Sequence, residues 1–165
     1  MIRTLAHGIA GLLLMLAAAL AFAVVEMDQP APPLRGTLVS GDKFDLADHR
    51  GKVVLVNFYS SYCRYCALEI GTLETFHDDL KDKGFEVIVI GVDRLEDKAR
   101  VARMLGIYNL QGAMADELDE TGFERNYPTP TAYVIDREGV VREKTTGPKT
   151  PPRMRELLAP YLKQN

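Results

Sequence analysis

A buried strand that passes directly into a helix constrains the fold of this chain more than any other feature of its sequence. Residues 52–59 form a continuous apolar run rich in β-branched side chains, which is typical of a parallel strand covered on both faces. Beyond it, apolar residues recur at helical spacing over residues 66–80, and Gly84 is a stop signal. A second apolar run at residues 86–92 and a helical pattern at residues 95–105 repeat the unit. This alternation predicts a parallel sheet with crossover helices.

The second half of the chain predicts antiparallel strands and a closing helix. Residues 131–136 and 140–145 flank a turn in which Gly139 suits a tight hairpin. Thr150 is a suitable N-cap for the last helix, and a short helix is expected over residues 117–125. Together these elements predict an α/β fold with a central mixed sheet flanked by helices.

The first 25 residues differ in composition from the rest of the chain. Residues 8–25 are all apolar, and Arg3 is the only formal charge before Glu26. The run is close to the minimum length of a membrane span, and Ala21-Phe22-Ala23 has the small-x-small pattern of a signal-peptidase site. We therefore expect either a signal peptide cleaved near Ala23 or an N-terminal anchor in the inner membrane. Because Arg3 marks the cytoplasmic end, both place the domain in the periplasm or another extracytoplasmic space.

A single, mildly acidic domain is expected after this leader. A proline-rich linker at residues 26–33 precedes the domain at residues 34–165. The chain carries 20 Lys and Arg against 23 Asp and Glu, so it has no basic field and we expect no nucleic-acid partner. Membrane contact is expected through the N-terminal segment alone. With only two cysteines, a four-cysteine zinc or iron–sulfur site is excluded.

The two cysteines lie where the first predicted strand passes into its helix. Free N–H groups and the helix dipole stabilise a thiolate at a helix N-terminus, where a cysteine pKa falls to roughly 3.5–7.5. Arg64 adds a neighbouring cation. This placement predicts that Cys63 attacks a substrate disulfide and that Cys66, one turn further in, resolves the mixed disulfide. Since the electrons reside in the redox-active Cys63–Cys66 pair, no dissociable cofactor and no metal are expected.

Other uses of the cysteine pair have less support in the sequence. The histidines are His7, His49 and His77, and His77 lies about 16 Å along the helix from Cys66, too far to share a zinc ion. Covalent haem attachment needs a histidine at position 67, which is alanine. A purely structural disulfide would close too small a loop to constrain much chain entropy. A Cu(I) carrier stays open, although the motif holds no methionine or histidine to complete its site.

The segments around the cysteines and around Pro130 resemble the TlpA/ResA-like thioredoxins. Residues 56–69 read VNFYSSYCRYCALE, similar to the N-F-W-A-x-W-C-x-x-C-x-x-E segment of that family. Residues 130–139 read PTAYVIDREG, similar to P-T-T-F-L-I-D-x-x-G. The likeness covers residues 34–160 and includes the strand and helix inserted at residues 86–113. It implies a thioredoxin fold and an exported thiol–disulfide oxidoreductase.

The resemblance also implies roles for residues outside the cysteine pair. Pro130 is implied to be a cis-proline that faces the cysteines and keeps a groove open for substrate. Pro128 is the alternative for this special turn, in which case Thr129 lines the groove through its backbone. Glu69 alone would be interpreted as a solvated helix residue. The acidic residue of the family at this position implies instead a partly buried carboxylate that moves a proton to or from the Cys66 sulfur.

The aromatic residues around the motif are candidates for a docking surface. Tyr59, Tyr62 and Tyr65 surround the cysteines, and at least one of them is expected in the core. Tyr62 stands where the family has tryptophan, and the Arg64-Tyr65 dipeptide lacks the usual proline, which leaves the redox potential open. Asn57 takes the place of a buried aspartate of cytosolic thioredoxins, and we expect its amide to be satisfied by backbone groups.

The resemblance implies a reductive role with protein partners on both sides of the reaction. A transmembrane thiol reductase is the implied electron donor, and apocytochrome c or a copper-site protein is the implied disulfide-containing client. A thiol peroxidase of the related peroxiredoxin group is the rival enzyme. That chemistry needs a proline and a threonine-like residue at fixed offsets before the reactive cysteine. Ser60 fits the second position, but Val56 stands where the proline should be.

Overall fold

The computed structural model describes residues 25–124 and 128–162. Within these residues, seven strands form one mixed sheet and three α-helices pack against it. The strands are β1 (Leu34–Leu38), β2 (Lys43–Asp45), β3 (Val53–Tyr59), β4 (Phe85–Gly91), β5 (Gln111–Thr121), β6 (Thr131–Ile135) and β7 (Val141–Thr146). The helices are α1 (Arg64–Leu80), α2 (Lys98–Ile107) and α3 (Pro151–Leu162). The strand order is β2-β1-β5-β4-β3-β6-β7, and the inserted strand–helix unit is β4 with α2.

Strands β3 and β4 run parallel, as the sequence pattern predicts, and β5, which the pattern did not predict, lies parallel to β4. β3 pairs with β4 along its whole length, from Val53 opposite Phe85 to Tyr59 opposite Gly91. β6 lies antiparallel on the other side of β3 and forms a hairpin with β7, in which Gly139 has a positive φ of 74°. The carboxyl ends of β3 and β4 therefore lie side by side, at the edge where open α/β sheets bind their ligands.

Alternation along β3 separates two hydrophobic clusters on the two faces of the sheet. Val53 and Leu55 face the helices, whereas Val54 and Val56 face the opposite side. Asn57 lies on the same side of β3 as Val53 and Leu55, so its side chain points towards α1. Buried side chains of all three helices join the first cluster: Cys66, Ile70 and Leu73 of α1, Val101 and Leu105 of α2, and Met154, Leu157 and Leu158 of α3. The CxxC helix is thus fixed on the sheet by its apolar face.

The helix expected over residues 117–125 is wrong in its described part. Residues 111–121 form one long strand, β5, whose first half pairs with β4 and whose second half crosses to β1. There Arg35 lies opposite Glu120 and forms an ion pair with it, while Leu118 packs against the cluster on the face opposite the three α-helices. Pairing with a strand from the start of the domain outweighs the local helical pattern.

The proline-rich segment before β1 is docked on the domain. The backbone N–H groups of Asp28 and Ala31 donate to the carbonyls of Val141 and Gly139 at 2.8 and 2.9 Å. Residues 1–24 of the expected leader lie outside the described residues. Among the residues that the structure describes, no helix has both the length and the apolar character needed to span a membrane.

Candidate active site

The loop between β3 and α1 presents the cysteine pair, and Asp93 holds that loop in place. The Asp93 carboxylate accepts the backbone N–H of Ser61 at 3.0 Å and the hydroxyls of Ser61 and Ser60 at 2.8 and 3.2 Å. Asp93 is only 6% exposed, so these donors supply its hydrogen bonds in place of bulk water. Sequence reasoning missed Asp93, because it meets the loop only through the side-by-side ends of β3 and β4.

We expect Asp93→Ala to destabilise the protein by about 2 kcal/mol, since the partly buried Ser61 N–H loses a charged acceptor. The initial attack of Cys63 on a disulfide should also slow, because the loop that presents it loses its anchor. Urea unfolding and thiol-exchange kinetics measure the two effects. Asp116→Ala, at an exposed position of β5, is the matched control. Equal unfolding midpoints for the two variants would contradict this role of Asp93.

Cys63 is the N-cap of α1, and its sulfur lies among hydrogen-bonding groups. Its Sγ accepts the backbone N–H of Cys66 at 3.1 Å and lies 3.2 Å from the carbonyl oxygen of Thr129, to which the thiol donates. Cys66, one turn further along, is fully buried, and both cysteines are free thiols. The residue one turn further into the helix is thus the more deeply buried of the two cysteines.

The segment at Thr129 and Pro130 faces the cysteines from β6. The Thr129–Pro130 peptide bond is cis, and the Pro130 side chain is buried. Thr129 contacts Cys63 through its backbone carbonyl. The cis geometry implied by the resemblance is confirmed, and Thr129 contributes a backbone group even though Pro130 is the residue in the special turn.

The environment pushes the pKa values of the two thiols in opposite directions. Burial raises the pKa of Cys63, but hydrogen bonding with the side chains of Cys66 and Thr129 and with the helix N–H groups outweighs it, so that the net pKa is lowered. Burial, followed by the neighbouring Cys63 sulfur, raises the pKa of Cys66 to about 12. The Cys63 thiol therefore ionises more readily than the Cys66 thiol, which holds its proton at neutral pH.

We expect iodoacetamide to modify Cys63 alone in the reduced, folded protein. With a pKa of about 12, Cys66 is ionised in roughly one molecule in a hundred thousand at pH 7. The rate at Cys63 should level off at a lower pH than that of the same cysteine in the unfolded chain. Mass spectrometry of the labelled peptides measures both, with protein unfolded in guanidinium chloride as the control. Equal labelling of both cysteines in the folded state would overturn the assignment.

Glu69 lies one turn beyond Cys66 and is completely enclosed. It is 1% exposed, which excludes a solvated helix glutamate and is deeper than the partial burial expected. The Asn57 side chain donates to Oε1 at 2.7 Å. The expectation that backbone groups satisfy the Asn57 amide is therefore wrong, because its position on the helix-facing side of β3 brings it to Glu69.

Lys149, which sequence reasoning missed, completes the surroundings of Glu69. Its backbone N–H and its Nζ both lie 2.9 Å from Oε2, and the two side chains are each 1% exposed. The Nζ also donates to the carbonyl of Gly147 at 3.1 Å. Lys149 comes from the segment before α3, far from Glu69 in sequence, and no local pattern marks it as buried.

The three tyrosines near the motif divide between the core and the surface. Tyr59 is buried at 6% exposure, whereas Tyr62 and Tyr65 are 67% and 58% exposed. The Tyr62 hydroxyl donates to Asp97 at 2.8 Å, and the guanidinium of Arg100 lies 4.7 Å from its ring centroid. Arg64 is also exposed. Tyr62, Arg64 and Tyr65 thus form an open surface beside Cys63, as a docking role requires.

The histidines that the structure describes lie elsewhere. His49 pairs with Glu86, and His77 is in the last turn of α1. In residues 25–124 and 128–162, no three His, Cys, Asp or Glu side chains are grouped so as to hold a metal ion. His7 falls outside these ranges.

Comparison with known proteins gives a family match and relatives that are named as thiol–disulfide oxidoreductases or thiol:disulfide interchange proteins. Residues 27–144 match the AhpC/TSA family. Thiol-disulfide oxidoreductase ResA of Bacillus thuringiensis subsp. konkukian is 31% identical over 144 residues, which are 85% of this chain and 79% of ResA. Thiol:disulfide interchange protein DsbE of Pseudomonas fluorescens biotype C is 32% identical, over 72% of this chain and 66% of DsbE. A solved thiol:disulfide interchange protein of Chlorobium tepidum TLS is 23% identical with a TM-score of 0.69, covering 84% of this chain and 99% of that one.

The fold, the cysteine pair and these relatives define a thioredoxin-fold thiol–disulfide oxidoreductase. The match to the family extends over well more than half of the chain, and the identity to ResA covers most of both proteins. The chain belongs to the AhpC/TSA family and, within it, to the ResA-like thiol–disulfide oxidoreductases. The resemblance seen in residues 56–69 and 130–139 is thereby confirmed.

Proposed function

We propose that this oxidoreductase reduces disulfides in client proteins outside the cytoplasm. The observation that carries the proposal is the asymmetry of the pair. Cys63 is half-exposed, with a lowered pKa, beside the open Thr129 carbonyl. Cys66 is fully buried with a pKa of about 12. Exchange by a dithiol needs this arrangement, because one thiolate must reach the substrate while the other waits as a thiol, and the resemblance to TlpA/ResA-like proteins supports the reductive direction.

The proposed cycle moves two electrons from the two thiols to one substrate disulfide. The Cys63 thiolate attacks one substrate sulfur, so that a mixed disulfide forms and the other substrate sulfur leaves as a thiolate. Cys66 then gives up its proton and attacks the Cys63 sulfur. The second substrate thiolate leaves, and a Cys63–Cys66 disulfide forms. Both substrate thiolates take up protons, and no dissociable cofactor takes part.

Glu69 is the proposed acceptor of the Cys66 proton. Residues three apart on a helix are neighbours, and both side chains are buried on the same face of α1. A thiol with a pKa of about 12 gives up its proton slowly unless a base stands close to it. The carboxylate supplies that base inside a site from which water is excluded.

The apolar leader and the relatives support a location of the reaction outside the cytoplasm. Residues 8–25 support export or membrane anchoring, which places the domain in the periplasm or an equivalent space. In such a space a dithiol must be re-reduced from the membrane side, so a transmembrane thiol reductase is the proposed electron donor. The resemblance to TlpA/ResA-like proteins supports apocytochrome c or a copper-site protein as client, with the exposed Tyr62, Arg64 and Tyr65 as its docking surface.

The equilibrium reduction potential of the Cys63–Cys66 pair tests the direction of electron flow. We expect a value near or below about −220 mV, in the range of reductants such as thioredoxin and glutaredoxin. Redox titration against glutathione or dithiothreitol buffers, read by alkylation, measures it. A value near −120 mV, which is typical of proteins that introduce disulfides, would reverse the proposed direction.

Thiol peroxidase activity is the second candidate, because the AhpC/TSA match spans residues 27–144. The structure weakens it, since the Ser60 hydroxyl donates to Asp93 and accepts the Tyr62 N–H. Val56, at the position where a proline is needed, lies inside β3. We therefore expect the reduced protein to consume hydrogen peroxide no faster than a free thiol. Consumption at enzymatic rates that is lost in Cys63→Ser would favour the peroxidase.

A further inference from the structure

We propose that Lys149 is a positioning residue of the exchange reaction, whose buried ammonium group supplies the counter-charge of the Glu69 carboxylate and orients it towards Cys66. The proposal rests on the proposed function, because it concerns the step in which Cys66 resolves a mixed disulfide. Lys149 lies outside the cysteine motif and outside the segment around Pro130. It therefore adds a residue to the site that neither motif contains.

Three donors fix the orientation of the Glu69 carboxylate. Asn57 of β3 donates to Oε1 at 2.7 Å, and Lys149 donates to Oε2 through both its backbone N–H and its Nζ at 2.9 Å. The segment that carries Lys149 is itself tied to the groove, since the N–H of Gly147 donates to the carbonyl of Pro130 at 2.9 Å. The ion pair thus connects α1 with the groove beside Cys63.

The charge of Lys149 matters because Glu69 has almost no access to water. Both side chains are 1% exposed, and burial of a carboxylate favours its neutral form unless a cation lies close to it. The groups that contact this carboxylate are Asn57 from β3 and Lys149 from the segment before α3, and Cys66 is a buried residue one turn away on the same helix. Asn57 is neutral and Cys66 holds its proton at neutral pH. Lys149 is therefore the group that supplies the counter-charge.

The chemical consequence falls on the second step of exchange. Once the mixed disulfide has formed, the Cys66 proton moves to Glu69, the Cys66 sulfur bonds to the Cys63 sulfur, and the bond from Cys63 to the substrate breaks. A Glu69 that already carries a proton cannot accept this one. Without Lys149, the buried carboxylate has no counter-charge, so burial favours its neutral form and resolution slows. The attack by Cys63 is unaffected, because its thiolate is stabilised at the N-terminus of α1.

The reaction with dithiobis(nitrobenzoate) separates the two steps in one stopped-flow trace. Attack by Cys63 releases one coloured thiolate, and resolution by Cys66 releases the second. In Lys149→Met, which keeps the backbone N–H and most of the side-chain volume, we expect the first phase to be unchanged. The acid limb of the second phase should move to higher pH, so that resolution at mildly acidic pH slows at least about tenfold and recovers at alkaline pH.

Controls separate this role from a structural one. Lys81→Met, which removes the exposed partner of Asp78, should leave both phases as in the wild type. If Lys149→Met does not fold, Glu69→Gln/Lys149→Met removes both buried charges together and should fold, with a second phase at least about a hundredfold slower and without the acid limb.

Slowing of the second phase by the same factor at every pH in Lys149→Met would overturn the proposal. A double variant that resolves as fast as the wild type would also overturn it. Failure of the wild type to release the second thiolate would instead contradict the proposed function.

Discussion

Replacement of Cys63 by serine should abolish disulfide exchange, with a fall of roughly a thousandfold or more to the uncatalysed rate, the scale seen when an enzyme loses its nucleophile. The structure explains why nothing else can replace it. Cys63 alone combines a half-exposed sulfur, a lowered pKa and the open Thr129 carbonyl beside it. Cys66 has no exposed surface and holds its proton at neutral pH. Reduction of insulin disulfides, followed by turbidity, measures the loss.

Cys66→Ser is the matched variant, and it should fail in a different way. The first attack proceeds, but the mixed disulfide on Cys63 has no internal thiol to resolve it. Non-reducing mass spectrometry should therefore show the protein carrying one covalently bound substrate fragment, which dithiothreitol removes. Turnover by Cys66→Ser at the wild-type rate, or a stable adduct on Cys63→Ser, would contradict the order of attack.

Local sequence pattern was sufficient to predict the elements that hold the cysteines. The apolar run at residues 52–59 and the helical spacing after Cys66 correspond to β3 and α1. Both are decided by side chains that alternate or recur within one element, so their signal survives in a single sequence. Their junction placed Cys63 at the N-cap of α1, where the structure also has it. The cis bond before Pro130 was implied by family resemblance, not by local pattern.

The predictions from sequence fail where the structure of a segment depends on contacts with residues far away in the chain. Residues 117–121 carry charged side chains at spacings that suit a helix, but β1 offers them an antiparallel partner and ion pairs such as Arg35–Glu120. Asp93 and Lys149 were missed for the same reason. Each is a charged residue in a connecting segment, and only the folded sheet brings it to the loop before Cys63 or to Glu69. A single sequence carries no local signal for such contacts.

Gly112→Ala should lower the free energy of unfolding by about 3 kcal/mol. Gly112 of β5 lies opposite Val89 of β4, and a Cβ at this position would lie 2.3 Å from the Val89 carbonyl oxygen and 3.0 Å from Leu105 of α2. The backbone oxygen cannot rotate away as a side chain could. The two strands would have to separate at the point where the inserted unit joins the sheet. Urea denaturation measures the change in the free energy of unfolding.

Gly106→Ala, in α2 of the same inserted unit, should have the opposite effect on stability. Gly106 lies in α2, its φ is not positive, and a Cβ there would meet no atom within 4 Å. Alanine should therefore stabilise the helix by about 0.5–1 kcal/mol. The pair of variants separates close packing of β5 on β4 from a general sensitivity of the inserted unit to added methyl groups. Because β4 leads to Asp93, which holds the loop before Cys63, the first exchange step should slow in Gly112→Ala and stay unchanged in Gly106→Ala. Equal stability of the two variants would show that β5 can move away from β4 without loss, and that the inserted unit does not fix the position of the catalytic loop.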